Sequence, residues 1–311
     1  MIKISFEGFW NGFTPRNISF FSYLLDNEFI QIDKANPEII IYGDDYKKIK
    51  KNSIPRLLFT VENRPFNDWD FKYTMSFRRR RKNNFFFLNS FYYPYFQDYV
   101  TDKTSKELSA LQNNNKNEYI NFVYSSRNGH LRNQYFNFLN LNNIKVHSLG
   151  LWMNNKKNIE HPKLTKEQNK LNNISQYKYT IAFENSYNHE YISEKIWEPL
   201  IVNSIPIYHG GESVFKIFNK RKIIYVKNKY DFNKSLNQMK EIDINQNLYE
   251  DFLNENIFIN NDLKELFAYK ALAKKFYQFI LKVKNDKNSK VESKSAKRFL
   301  YLYHRFLRKI F

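Results

Sequence analysis

The chain has 311 residues, 42% of them hydrophobic and 18% aromatic, and its 50 Lys and Arg outnumber 31 Asp and Glu for a formal charge of +19. That length supports one large or two medium domains with sizeable cores, and the positive excess points to a polyanionic partner such as nucleic acid, anionic lipid or a phosphorylated substrate. The lack of cysteine excludes disulfides, thiolate metal sites and a cysteine nucleophile and fits a reducing compartment, while no uncharged apolar run reaches the roughly 18 residues of a membrane-spanning helix.

The opening stretch MIKISFEGFW carries Lys3 and Glu7 and sustains no apolar run, so no signal peptide is expected. Residues 2–6 and 38–42 read as strands around a helix near 19–25, and residues 56–61 and 71–77 as two further strands. Strands alternating with helical or irregular crossovers predict a parallel α/β domain. The third strand ends in Phe59-Thr-Val-Glu62-Asn63-Arg64-Pro65-Phe66. A carboxylate at the mouth of a parallel sheet is placed to deprotonate a hydroxyl, although on spacing alone a surface-loop glutamate is the better reading.

Asp68-Trp69-Asp70 has the look of a cation-binding triplet, but such a tripeptide is frequent by chance and no metal is assigned to it. The run Arg78-Arg79-Arg80-Arg81-Lys82 beside Phe85-Phe86-Phe87 could hold phosphate while rings stack on bases. No nucleic-acid module surrounds it, so an exposed turn facing an anionic acceptor or membrane is the preferred reading. The polar stretch 112–117, Gln-Asn-Asn-Asn-Lys-Asn, is the linker candidate, which gives a first domain over residues 1–112.

A second α/β series covers residues 118–262, with a strand at 119–124, a helix at 131–141 and a strand at 144–147. Arg132 falls at the start of that helix, where its planar fork suits phosphate oxygens; Arg127 is a reserve. His130 and His147 have no ligand-spaced neighbours and read as ordinary polar positions. Next comes YTIAFENSYNHEYISEKIWEPLIVNSIPIYHGG, residues 179–211, a strand, polar turn, helix and strand closed by Gly210 and Gly211. Glu194 and Lys195 sit in the first turn of the helix, expected over 191–202, whose free N–H groups favour an anion. A proline inside it, Pro199, has no evident role. A strand at 223–226 and helices at 232–240 and 246–254 complete the domain.

Residues 263–284 predict a long amphipathic helix, followed by a polar linker and a basic tail over 285–311. In KRFLYLYHRFLRKIF, residues 297–311, Phe299, Leu302, Phe306 and Ile310 share a face opposite Arg298, Arg305 and Lys309. That is the pattern of a helix lying on an anionic membrane; a docking helix for a partner or second subunit is the competing reading.

Phe183-Glu184-Asn185-Ser186, then Tyr191-Ile192-Ser193-Glu194-Lys195, then Ile205-Pro206-Ile207 with Gly210, resemble in order and length the donor-nucleotide signature of the α1,3/4-fucosyltransferases, glycosyltransferase family 10, bacterial type. The resemblance implies a GT-B α/β fold: two Rossmann-like domains facing a cleft, with the 263–284 helix packing back toward the first domain. It implies transfer of L-fucose from GDP-fucose to an N-acetyllactosamine-type acceptor, with inversion, in α1,3 or α1,4 linkage. Donor contacts carry over to Arg132, Asn185, Tyr191, Glu194 and Lys195. Glu62 falls on the family's proposed base, although Val61 stands where the family often has glycine. It further implies that no divalent metal is essential and that the acceptor is borne on lipid or lipopolysaccharide. The protein would then lie at the cytoplasmic, inner face of the membrane, with a homodimer possible. Two alternatives stay open: the same fold with another sugar nucleotide or acceptor, and a nucleic-acid-binding protein using the basic run and tail.

Overall fold

A computed structural model describes residues 1–47, 49, 53–61, 63, 71–77, 85–87, 94–101, 106–112 and 114–286. Glu62, the Asp68-Trp69-Asp70 triplet, the 78–82 basic run and the 297–311 tail lie outside the described residues. The chain forms two compact units, one of Met1–Pro94 with the chain from Phe267 onward, the other of Tyr95–Leu266. Each is built on a parallel sheet, the two-domain α/β class expected from the sequence.

In the first unit the elements are β1 (Ile2–Glu7), α1 (Ser19–Asp26), β2 (Ile30–Ile32), β3 (Ile39–Tyr42), β4 (Arg56–Thr60), β5 (Tyr73–Ser76) and β6 (Phe85–Phe87), and the sheet order is β2-β1-β3-β4-β5-β6. Strands buried on both faces read as unbroken apolar runs, and all four residues of β3, Ile-Ile-Ile-Tyr, are buried. Phe20, Phe21 and Leu24 of α1 are fully buried against Ile4, Ile41 and Phe59 of the sheet's core.

The second unit comprises α2 (Pro94–Val100), α3 (Lys106–Leu111), β7 (Glu118–Phe122), α4 (His130–Leu141), β8 (His147–Ser148), α5 (Lys166–Ser175), β9 (Tyr177–Phe183), α6 (Glu194–Ile201), β10 (Ile205–His209), β11 (Ile224–Tyr225), α7 (Phe232–Ile244), α8 (Gln246–Asn254) and α9 (Asp262–Phe267), and its sheet order is β11-β10-β9-β7-β8. Residues 95–112 belong to this unit, where the linker placement puts them in the first. Phe96 meets Trp197 edge-on at 5.4 Å, and the Gln112 side chain donates to the Ile201 carbonyl at 3.1 Å.

The single helix expected over 263–284 is two, because Ala268 is extended at φ −62°, ψ 142°. After that break α10 (Tyr269–Asn285) places Leu272, Ala273, Phe276, Ile280 and Val283 in the core of the first unit. Lys284 binds Glu38 at 2.6 Å, and Asp286 takes both the Tyr73 hydroxyl and the Lys72 ammonium at 2.5 Å. Among the described residues no helix is long and apolar enough to cross a membrane.

Glycine is scarce, only 7 in the chain, and other residues do its work at helix ends. After α1, α4 and α6 the chain turns left-handed at Glu28, Asn143 and Asn203, with φ of 57°, 62° and 57°. Behind α6 the Ser204 N–H reaches the Pro199 carbonyl at 2.9 Å and the Asn203 N–H reaches that of Leu200 at 3.3 Å. That is the paired closure in which an αL residue satisfies the last carbonyls. Pro199 lies in the last turn, so it breaks a short helix near its natural end while its carbonyl serves the cap.

Candidate functional site

In a doubly wound sheet, ligands collect beyond the carboxyl ends of the strands where the strand order reverses. In the second unit that point lies between β7 and β9, whose following loops part to opposite faces. The residues singled out in the sequence converge there from three directions.

From β7 comes the loop into α4. Arg132 is 1% exposed, with its guanidinium 4.1 Å over the Tyr124 ring and donating to the Asn185 side-chain oxygen and to the Ser126 carbonyl. The Arg132 Nε is buried with no partner among the described residues. Gly129, at φ 112°, caps α4, and a Cβ there would stand 2.8 Å from the guanidinium carbon. Only a residue without a side chain lets the arginine lie beneath this turn. Tyr124 locks the base of the loop by accepting the Phe183 N–H at 2.6 Å and donating to the Phe183 carbonyl at 2.8 Å.

From β9 comes the polar turn. Glu184 is 3% exposed, and its carboxylate accepts the Ser193 N–H at 2.8 Å and the Ser193 hydroxyl at 2.7 Å. A buried carboxylate is tolerable only when paired and hydrogen-bonded, and this one ties the end of β9 to the start of α6. Burial raises its pKa, with Lys195 working in the opposite direction.

From α6 come Glu194 and Lys195, the first two residues after the cap made by Ser193. The Lys195 ammonium lies 3.1 Å from the Ser193 hydroxyl, 3.2 Å from Glu194 Oε1 and 3.7 Å from Glu184 Oε2. Burial works against its charge, but Glu194 and Glu184 outweigh burial and hold its pKa well above the ordinary lysine value. Glu194 would likewise be lifted by burial, yet Lys195 and Lys170 bring it to about 2. Tyr191 is buried in the loop entering α6. The helix expected over 191–202 therefore starts later, at Glu194, because Ser193 supplies the cap.

Gly210 closes β10 under this cluster. A Cβ there would stand 2.2 Å from the Tyr208 hydroxyl and 2.9 Å from Glu184 Cγ. Burial and Glu184 together push the Tyr208 pKa well above its ordinary value.

Arg132, Asn185, Tyr191, Glu194 and Lys195 thus share the carboxyl end of one sheet. Glu62 follows β4 of the first unit, outside the described residues. Among the described residues no cluster of His, Asp or Glu has the makings of a metal site, and His147 pairs with Glu118 at 3.2 Å. Two members of the charge cluster carry no signal in the motif. Lys170 of α5 lies 2.5 Å from Glu198 Oε2 and 3.8 Å from Glu194 Oε1, and Glu198 is 7% exposed. Glu198 was legible in part, since a glutamate between Trp197 and Leu200 on an apolar face must find a cation.

Residues 113–294 match the family model described as glycosyltransferase family 10 (fucosyltransferase), C-terminal part. The α-(1,3)-fucosyltransferase of Helicobacter pylori is 30% identical over 164 residues, 53% of this chain and 33% of that protein. A GDP-fucose protein O-fucosyltransferase 3 of Xenopus laevis is 29% identical over 127 residues, 40% of this chain and 27% of that one. The matched segments thus span a third or less of these curated relatives. A crystal structure of an α1,3-fucosyltransferase superposes with a TM-score of 0.71 at 20% identity, covering 92% of each chain, a likeness of fold.

Proposed function

The chain belongs to glycosyltransferase family 10, the fucosyltransferases, and from that membership we propose that it transfers L-fucose from GDP-fucose to a hydroxyl of an N-acetyllactosamine-type glycan, in α1,3 or α1,4 linkage and with inversion. The observation that carries this reading is the meeting of Arg132 and Asn185 beside Lys195 and Glu194 at the reversal of strand order.

In the reaction the acceptor oxygen attacks the anomeric carbon as the bond from that carbon to the diphosphate breaks. Glu62, two residues past β4, takes the acceptor proton. Lys195, Arg132 and the N–H groups at the start of α6 neutralise the charge growing on GDP. Those fixed cations do the work of a divalent metal, so none is required. Glu194 accepts hydrogen bonds from ribose or fucose hydroxyls, and Asn185 and Tyr191 orient the donor. We place the acceptor on lipid or lipopolysaccharide at the inner face of the membrane, with residues 297–311 holding the enzyme to anionic headgroups.

A second acceptor class is favoured by the similarity to the protein O-fucosyltransferases: the same donor with a polypeptide hydroxyl. Both readings are tested by incubating GDP-fucose with N-acetyllactosamine or with polypeptide, using wild type and Glu62→Gln. Fucosylated lactosamine from wild type is expected, with Glu62→Gln binding GDP normally but at least about a hundredfold slower in transfer. Undiminished transfer by Glu62→Gln removes the base assignment. Product on polypeptide alone shifts the acceptor class.

A further inference from the structure

We propose that Lys170, on α5, is a positioning residue for the sugar-nucleotide site, holding the carboxylate of Glu194 so that one oxygen stays available to a donor hydroxyl; the inference rests on the donor reading above. The cluster beneath the start of α6 alternates in sign: Glu184, Lys195, Glu194, Lys170, Glu198. Lys195 lies between Glu184 at 3.7 Å and Glu194 at 3.2 Å. Lys170 lies between Glu194 at 3.8 Å and Glu198 at 2.5 Å.

Both ammonium groups reach the same oxygen of Glu194, Oε1. The two cations therefore hold the carboxylate through Oε1, with the Glu194 N–H as a further donor to it. A carboxylate oxygen can only accept, and the group suited to Oε2 is a hydroxyl of ribose or fucose. Lys170 is also the cation that reaches Glu198 among the described residues. Without Lys170, Glu194 and Glu198 would share the neighbourhood of Lys195 alone. Lys195 would be drawn further into neutralising α6 and away from an incoming diphosphate.

A purely structural lysine would make a different prediction, which the double substitution isolates. Lys170→Met/Glu198→Gln removes the buried ion pair from both sides and leaves Glu194 without its second cation. In the full chain, this variant is expected to melt within a few degrees of wild type and to bind GDP-fucose about tenfold more weakly by calorimetry, as befits a lost hydrogen bond to a charged group. Lys170→Arg is expected to restore the affinity to within about threefold. A loss with GDP-fucose and not with GDP puts the held hydroxyl on the sugar; an equal loss puts it on the ribose. Wild-type affinity for GDP-fucose in the double variant overturns the proposal, because Lys170 then serves only to neutralise Glu198. Should the double variant melt below the assay temperature, Lys170→Gln, which keeps a polar partner for Glu198, replaces it with the same two readings. A wild-type protein that binds neither GDP nor GDP-fucose overturns the donor reading itself, whatever Lys170 does.

Discussion

Glu198→Gln is expected to change the stability of the protein in a pH-dependent way, gaining on wild type as pH rises. Burial lifts the Glu198 carboxyl from its ordinary 4.5 to about 7 even though Lys170 lies 2.5 Å away. Between those values the folded protein holds a proton that the unfolded chain has released, so wild-type stability falls as pH rises from about 4.5 through about 7. At about 1.4 kcal/mol per pH unit, that gap corresponds to about 3 kcal/mol. The glutamine has no proton to lose. The stability difference should move by about 3 kcal/mol in favour of the variant between pH 4.5 and pH 8. Glu194, which burial would lift but Lys195 and Lys170 hold at about 2, titrates below this window and cancels in the comparison. Urea unfolding at a series of pH values measures the difference, and Trp197, 2% exposed on the same helix, is a fitting fluorescence reporter. Parallel curves for the two proteins would refute the reasoning, for they would mean that Lys170 outweighs burial and keeps Glu198 ionised throughout.

Arg132→Lys keeps the charge but loses the fork, and it should weaken GDP binding by ten- to a hundredfold in calorimetry, the worth of a charge-assisted bond of about 1.5–3 kcal/mol; unchanged affinity would remove Arg132 from the site. Glu28→Gly should stabilise the first unit by about 1 kcal/mol, since a left-handed non-glycine residue costs about 1–2 kcal/mol and glycine returns part of that as unfolded-state freedom. A thermal melt shows it, because Glu28 sits at φ 57° on an exposed turn. Gly210→Ala should destabilise by about 1–3 kcal/mol and weaken GDP binding with it, because the new methyl would press on the Tyr208 hydroxyl and on Glu184; a melt and a GDP titration read the two effects separately.

The parts of the fold legible in the sequence are those in which one residue class dominates locally. Strand β3 is an unbroken apolar run, and α6 carries both its cap at Ser193 and its apolar face. The three-residue strands β2 and β6 are too short to show a period, and their pairing with longer neighbours is what makes them strands. Helix α5 was hidden for another reason. Its sequence, KEQNKLNNIS, is polar nearly throughout, and its apolar side chains Leu171 and Ile174 are too few to mark a face. The available signal was the cap, since Thr165 accepts from the Gln168 N–H and Gln168 answers at the Thr165 N–H. Missing α5 meant missing Lys170, so the site read from the sequence had its conspicuous cations without the one that lies between Glu194 and Glu198. The break at Ala268 was equally silent, because alanine favours helix and the chain leaves the helical path where it passes from one packed unit to the other.

Arg132 lies at the start of α4, where its motif puts it, in surroundings that the motif does not show. The sequence expects a cation at a helix start, open to an anion. The structure has it buried, its fork spent on two loops that leave adjacent strands in opposite directions. In that state it is a brace across the reversal point. The two groups it binds, Asn185 and Ser126, are both exposed, so water can take over their hydrogen bonds if the fork turns to a phosphate. Had the partners been buried, releasing them would leave unsatisfied polar groups at a cost of about 1–3 kcal/mol each. The choice of an amide at position 185 follows the same logic. A carboxylate there would pair with the guanidinium strongly enough to compete with a diphosphate, and would repel it as well. A neutral, solvent-exposed acceptor is strong enough to hold the arginine in place and weak enough to give it up.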